Sequence, residues 1–105
     1  MDEEKLQFVY VIVPSRRELV TDPGAWTPEE IRIGEAHYAY LKAATEEGTV
    51  ILAGRSLDGE GPAVVVFEAV TEYEARRFMD GDPFISSGLM HGHLHPFRAA
   101  LVRGC

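Results

Sequence analysis

The chain has 105 residues, the length of one compact domain, so we expect a single domain over residues 1–105. Hydrophobic residues make up 46% of the chain and charged residues 26%, proportions typical of a globular protein. The formal net charge of −7 argues against sequence-independent nucleic-acid binding, because phosphate recognition needs a basic surface that releases counterions.

The first half of the chain predicts a strand, a loop and a helix. Residues 6–13 (LQFVYVIV) are rich in β-branched and aromatic side chains and predict the first strand. Residues 14–26 contain two prolines, a glycine and an arginine pair, and predict a long loop. Thr27 then caps a predicted helix, forming a capping box with Glu30, and Gly48 marks the end of this helix.

The helix carries an apolar stripe at helical spacing. Its members are Ile33, His37, Tyr40, Leu41 and Ala44. His37 therefore lies within the predicted buried side of the helix, among residues that face the core.

The second half of the chain predicts a β-hairpin, a short helix and a final strand. Residues 49–55 and 63–70 form the two hairpin strands across an Asp-Gly turn. Thr71 opens a second capping box and a short helix, and residues 83–89 add one further helical turn. Residues 94–102 are predicted as the last strand.

The predicted order β-α-β-β-α-β is the ferredoxin-like arrangement, an α+β fold with a four-stranded antiparallel sheet and helices on one face. Pro96 predicts an edge position or a bulge for the last strand, since proline cannot donate to a ladder. The first and third strands are apolar on both faces, whereas two helices can cover only one face. We therefore expect a homodimer in which two sheets pack face to face.

The acidic start of the chain lacks the basic segment and apolar stretch of a secretory signal. No apolar run approaches the roughly 20 residues that span a bilayer. The one cysteine, Cys105, is the last residue, so no disulfide can form within the chain. We expect a cytoplasmic protein with no membrane segment, in which Cys105 has no catalytic role.

A set of short segments follows in order along the chain: the helical residues 37–41 (HYAYL), Gly48 with the strand residues 50–54 (VILAG), the turn at residues 58–59, the helix from Thr71 and the Asp-Pro-Phe at residues 82–84. Together they resemble the YciI-like family of the dimeric α+β barrel superfamily. The resemblance covers residues 6–102. It implies a ferredoxin-like protomer, dimerisation through the sheet, and a cleft between helices and sheet.

The resemblance also implies a His–Asp pair, which maps onto His37 and Asp82. Characterised relatives include small-molecule enzymes, among them a dehydrochlorinase of chlorinated aromatics. Arg16, Tyr40 and Phe84 are the candidate substrate contacts, Arg16 because a guanidinium binds carboxylates bidentately.

Both members of this pair have structural alternatives. His37 is equally well explained as a hydrogen-bonded core histidine. Asp82 directly precedes Pro83, so it is a natural N-cap for the turn that follows. A carboxylate has enough acceptor sites to cap a helix and orient an imidazole at the same time.

His91, His93 and His95 alternate, so a regular strand places them on one face. Same-face residues lie roughly 6.7 Å apart, and two imidazoles can converge on a metal from there. The resemblance does not account for this triplet. A polar strand end that binds metal only adventitiously is the alternative, and we expect no physiological metal site.

The sequence contains no phosphate loop or dinucleotide fingerprint, so we expect no organic cofactor. The function hypothesis is a small-molecule enzyme in which His37 moves a proton and Asp82 orients its ring, for elimination, isomerisation or hydrolysis. One alternative is a non-catalytic dimeric module that binds a metabolite. The other is a metal or haem protein that uses the histidine triplet.

Overall fold

The computed structural model of the protein describes residues 4–104. The strands in this range are β1 (Leu6–Pro14), β2 (Val50–Arg55), β3 (Ala63–Ala69) and β4 (Met90–Phe97). The α-helices are α1 (Glu18–Thr21), α2 (Pro28–Glu47), α3 (Glu72–Gly81) and α4 (Pro83–Ser86), and a 3-10 helix spans Pro23–Ala25.

The four strands form one antiparallel sheet in the order β2-β3-β1-β4. This is the ferredoxin-like order, so the α+β fold class predicted from the sequence is confirmed. The first and third strands occupy the centre of the sheet, and the second and fourth form its edges. Pro96 therefore lies on an edge strand, where its missing N–H is tolerated.

The core lies between the helices and one face of the sheet. Phe8, Tyr10 and Ile12 of β1 project into it and are buried. Phe67 of β3 is directly opposite Phe8, and its ring meets that of Tyr10 edge-on with centroids 5.7 Å apart. Burying side chains of this size stabilises a fold by about 1.5–3 kcal/mol each. This packed face fixes which strand residues point toward the helices.

Local sequence sets both ends of α2. The Thr27 hydroxyl accepts a hydrogen bond from the Glu30 N–H, and the Glu30 carboxylate accepts one from the Thr27 N–H, which confirms the capping box. Gly48 ends the helix with φ of 92°, a left-handed conformation that favours glycine. His37 lies in the middle of this 20-residue helix, away from both ends.

Residues 14–26 are not the plain loop that the sequence predicts. The first strand continues to Pro14, and the segment then forms α1 and the 3-10 helix. Leu19 is buried in the core, and its carbonyl oxygen accepts a hydrogen bond from the Trp26 Nε1–H at 2.9 Å. Burial of Leu19 folds this segment down onto the core, because an apolar side chain gains free energy when it leaves water.

The last strand begins at Met90 and ends at Phe97, so the predicted bounds of 94–102 are wrong. Its partner explains the difference. Pro14 pairs with Met90 and Gln7 pairs with Phe97, so β4 runs alongside nearly the whole of β1. Beyond Phe97 only Leu6 of β1 remains, so the ladder has almost no further partner.

The chain after β4 has no regular secondary structure up to residue 104. The Ala99 N–H donates to the Gln7 side-chain oxygen at 2.7 Å, which ties this segment to β1. Cys105, for which we predict no catalytic role, lies outside the described residues. None of the helices within residues 4–104 is long and apolar enough to cross a membrane.

Candidate active site

Asp82 is a fully buried carboxylate at the junction of two helices. It follows α3 and caps α4, accepting a hydrogen bond from the Phe84 N–H at 3.0 Å. The same oxygen, Oδ1, lies 2.7 Å from Nδ1 of His37, and Oδ2 accepts the hydroxyl of Tyr10 at 2.7 Å. Three donors from three parts of the chain thus compensate for the loss of water around this carboxylate.

Tyr10 acts as a fixed donor to Asp82. Burial, followed by the negative charge of Asp82, raises the pKa of Tyr10 far above its usual range. The phenol therefore keeps its proton and continues to donate to Oδ2. This bond holds the carboxylate in one orientation while the other oxygen faces His37.

The His37 ring is held on two sides. Its Nδ1 contacts Asp82, and its face stacks on Phe84 with ring centroids 3.9 Å apart and planes inclined by 20°. A carboxylate only accepts hydrogen bonds, so we assign the ring proton to Nδ1. The side chain keeps 17% of its surface exposed. Nε2 is consequently the nitrogen that is left to meet a ligand.

His37 lies on the wall of a cleft of about 1360 Å³. The cleft is bounded by α2, by the segment between β1 and α2, and by the turn that joins β2 to β3. Trp26 and Phe84 contribute aromatic surface to it, with ring centroids 6.1 Å apart. A mostly apolar cleft with a few polar groups is the usual form of a small-molecule site.

Of the three predicted substrate contacts, two line the cleft and one does not. Phe84 and Arg16 line the cleft. The Arg16 guanidinium donates bidentately to Glu30, with both distances 2.8 Å, so its fork is already occupied. Tyr40 lies outside the cleft: its ring stacks on Phe78 and its hydroxyl donates to the Phe78 carbonyl at 2.8 Å. In this structure Tyr40 packs against α3, and its contact with a substrate stays a prediction.

The histidine triplet lies on the other face of the sheet. His91, His93 and His95 are exposed and pair with β1 residues whose side chains point away from the helices. The alternation predicted for them is present, but it separates them from His37. In residues 4–104, no three His, Cys, Asp or Glu side chains come together in a way that holds a metal ion.

Tyr10 is the site residue whose role the sequence leaves open. The strand pattern places it on the buried face, and a buried phenol needs a hydrogen-bond partner. The partner itself is 72 residues away in the chain, and only the folded arrangement of β1 against the α3–α4 junction identifies it.

The salt bridge between Arg16 and Glu30 yields a pH-dependent prediction. The hydrogen bond from the Arg16 guanidinium has the largest effect on the Glu30 carboxyl, and that from the Thr27 N–H has the next largest. Together they lower the pKa of Glu30 from 4.5 to about 2. The pKa of Glu30 is lower in the folded state than in the unfolded state. The interaction therefore stabilises the fold at pH values above the unfolded-state pKa, and this stabilisation is lost as the pH falls toward 2. In Arg16→Gln we expect the Glu30 carboxyl to titrate closer to 4.5, measured by carbon-detected NMR.

The control for this titration is Arg32→Gln. Arg32 is exposed on the same helix and forms no ion pair within residues 4–104. This variant should leave the midpoint of Glu30 unchanged. An unchanged midpoint in Arg16→Gln would contradict the assignment.

The sequence profile of the YCII-related domain matches residues 8–97. This chain belongs to the YCII-related family. The matched segment of this YCII-related domain begins in β1 and ends at the last residue of β4, so it includes both His37 and Asp82.

A solved structure shares the fold of the YCII-related domain. It is 5-chloro-2-hydroxyhydroquinone dehydrochlorinase (TftG) from Burkholderia phenoliruptrix AC1100, in complex with 2,5-dihydroxybenzoquinone. The TM-score is 0.65 and the sequence identity 20%, over 89% of this chain and 94% of that chain. A comparison with curated proteins finds no match.

Proposed function

We propose that this protein is a small-molecule enzyme that transfers a proton through His37. The observation that carries the proposal is the 2.7 Å contact between His37 Nδ1 and the buried Asp82, at the wall of a large cleft. The similar fold of a dehydrochlorinase bound to a small dihydroxyquinone supports a small organic substrate.

The proposed mechanism uses His37 as a general base. With its proton on Nδ1, the ring presents the Nε2 lone pair to the substrate and takes a proton from it. The resulting imidazolium is stabilised by the negative charge of Asp82. Tyr10 and the Phe84 N–H keep this carboxylate in place, so little reorganisation is needed during the reaction.

Elimination is the reaction class that the comparison favours. In an elimination, Nε2 takes a proton while a leaving group departs from the neighbouring carbon with its bonding electron pair. The site then returns the proton to water. Isomerisation begins with the same proton abstraction, but the proton is delivered to another atom of the substrate.

The test is a substrate screen in D₂O. Wild-type protein is incubated with 5-chloro-2-hydroxyhydroquinone and with a panel of small hydroxylated or carboxylated aromatics, and proton NMR follows both conversion and deuterium exchange. We expect conversion or exchange with at least one compound, and none in His37→Asn. Binding without either process in the wild type would replace this proposal with the non-catalytic binding module.

We also propose that two copies pair through the sheet faces that the helices leave uncovered. Val9, Val11 and Val13 of β1 point to this outer face, and Leu52 on β2 is 52% exposed there. In a monomer these valine side chains of a central strand would be exposed to water, which is energetically unfavourable. The sheet of a second copy is the simplest structure that would bury them. The family resemblance implies the same pairing.

Val11→Asp tests this pairing. Val11 lies in the central strand between Val64 and His93, so an aspartate there places a charge in the middle of the proposed interface. We expect sedimentation equilibrium to give about twice the 11.6 kDa monomer mass for the wild type and the monomer mass for the variant. Tyr73→Asp, on exposed surface of α3, should leave the dimer intact. A monomeric wild type at micromolar concentration would overturn the proposal.

A further inference from the structure

Basic side chains are concentrated in the cleft. The whole chain has 10 basic and 17 acidic residues. The cleft reverses this ratio, and its charged lining consists of Arg16, Arg17, Lys42 and Arg55 against Glu46 and Glu60. A basic cleft in an acidic protein concentrates anions, because nearby charges of one sign dominate the local field.

Two of these cations already have partners. Arg16 is bound bidentately to Glu30, and the Lys42 ammonium contacts Glu46 at 2.7 Å. Arg17 and Arg55 form no ion pair with any acidic residue in the range 4–104. These two guanidinium groups are thus open to an anionic ligand.

Strand register fixes the side of the sheet on which Arg55 lies. Arg55 pairs with Ala63, which pairs in turn with Ile12. Ile12 is buried beneath the helices, so all three side chains point to the helix-covered face. Ala53, two residues earlier on that face, is nevertheless exposed. The helices leave this corner of the sheet open, and Arg55 extends from it into the cleft.

The same register relates Arg55 to the proposed reaction centre. Tyr10, which holds Asp82, pairs with Val65, and Val65 pairs with Ala53. Arg55 is therefore two strands away from Tyr10 across the sheet. It lies two residues beyond Ala53, the β2 residue that is in register with Tyr10. These spacings place the two backbones about 12 Å apart. Tyr10 itself is buried, but His37, which contacts the same carboxylate of Asp82, lines the cleft together with Arg55, so both groups face one ligand space.

We infer that Arg55, with Arg17, binds the carboxylate of a small aromatic acid whose ring lies against Trp26 and Phe84. The guanidinium fork matches the two carboxylate oxygens, and the aromatic side chains offer an apolar surface to the ring. The inference rests on the proposed function for the reacting end of the substrate, which lies at His37. It adds the substrate class and the residue that selects it.

The experiment compares salicylate with salicylamide, its neutral analogue, by isothermal titration calorimetry. Wild-type protein should bind salicylate more tightly than salicylamide. Arg55→Gln should weaken salicylate binding at least tenfold and leave salicylamide binding unchanged, and Arg17→Gln should weaken salicylate severalfold. Arg55→Lys should recover part of the affinity, because it keeps the charge without the fork. Arg32→Gln, outside the cleft, is the matched control and should bind as the wild type does.

Three results would overturn the inference. The first is a wild type that binds neither probe, the second is equal affinity for the two probes, and the third is an Arg55→Gln variant that binds as Arg32→Gln does. His37→Asn separates this inference from the proposed reaction, because Arg55→Gln should weaken salicylate binding at least tenfold in the His37→Asn background as well. If His37→Asn also turns over an identified substrate normally, proton transfer by His37 is refuted while the carboxylate site stands.

Discussion

Asp82→Ala is expected to lower the free energy of unfolding by about 3–5 kcal/mol, because each buried donor left without an acceptor costs about 1–3 kcal/mol. The substitution deprives the Tyr10 hydroxyl, the Phe84 N–H and His37 of their common acceptor. It also removes the N-cap of α4, which accounts for roughly 1 kcal/mol of the loss. Urea unfolding followed by circular dichroism measures the change.

Asp80→Ala is the matched control. Asp80 lies two positions earlier, on α3, and is exposed. Its replacement should change the free energy of unfolding by no more than about 0.5 kcal/mol, as is common for surface positions. Equal effects in the two variants would mean that Asp82 contributes no more than a surface aspartate.

Asp82→Asn separates the capping role from the electrostatic role. Asparagine caps helices as well as aspartate does, and its side-chain oxygen has two lone pairs, so it can accept from both the Phe84 N–H and the His37 Nδ1–H. It carries no charge, so it cannot stabilise an imidazolium as a carboxylate does. We expect most of the stability to remain and most of the activity to disappear. Full activity would reduce Asp82 to a helix cap.

His37→Asn is expected to reduce kcat by about 10²–10⁴-fold, the usual contribution of a positioned general base. Asparagine places an N–H near the position of Nδ1 and so continues to donate to Asp82, but it cannot take up a proton. The fold should therefore survive, and thermal unfolding of the variant checks this. The rate is measured with whichever compound the wild type converts.

His91→Asn provides the control for the histidine substitution. His91 is exposed on the opposite face of the sheet, paired with Val13. Its replacement should leave kcat within twofold of the wild type. If His37→Asn keeps a kcat within threefold of the wild type, His37 is not the base.

Features with local causes could be predicted from the sequence. The ends of α2 follow from Thr27, Glu30 and Gly48, each of which acts within a few residues of the helix terminus. The strand order follows from the order of the elements, because few topologies suit two βαβ units in one sheet. The bounds of β4 could not be predicted in this way, since the length of β1 sets them.

The site depends on contacts between distant parts of the chain. His37 and Asp82 are 45 residues apart, and the pairing with Tyr10 joins residues 72 apart. Periodicity places each side chain on a face, but it does not say which two faces meet. Arg55 illustrates this: only its pairing with Ala63 reveals that it points to the helix side of the sheet. The His37–Asp82 pair is predicted by the family resemblance and not by the periodicity of the sequence.

One wall of the cleft is a long helix, and two others are segments that connect secondary-structure elements. His37 comes from the middle of a long, doubly capped helix, whereas the opposite walls are the segment of residues 14–26 and the hairpin turn of residues 56–62. Insertions and substitutions in connecting segments are tolerated better than those in core elements. Directed evolution toward new substrates should therefore randomise the exposed residues of these two segments and keep His37, Asp82, Tyr10 and the buried Leu19 fixed, so that selectivity changes while the residues proposed to transfer the proton stay the same.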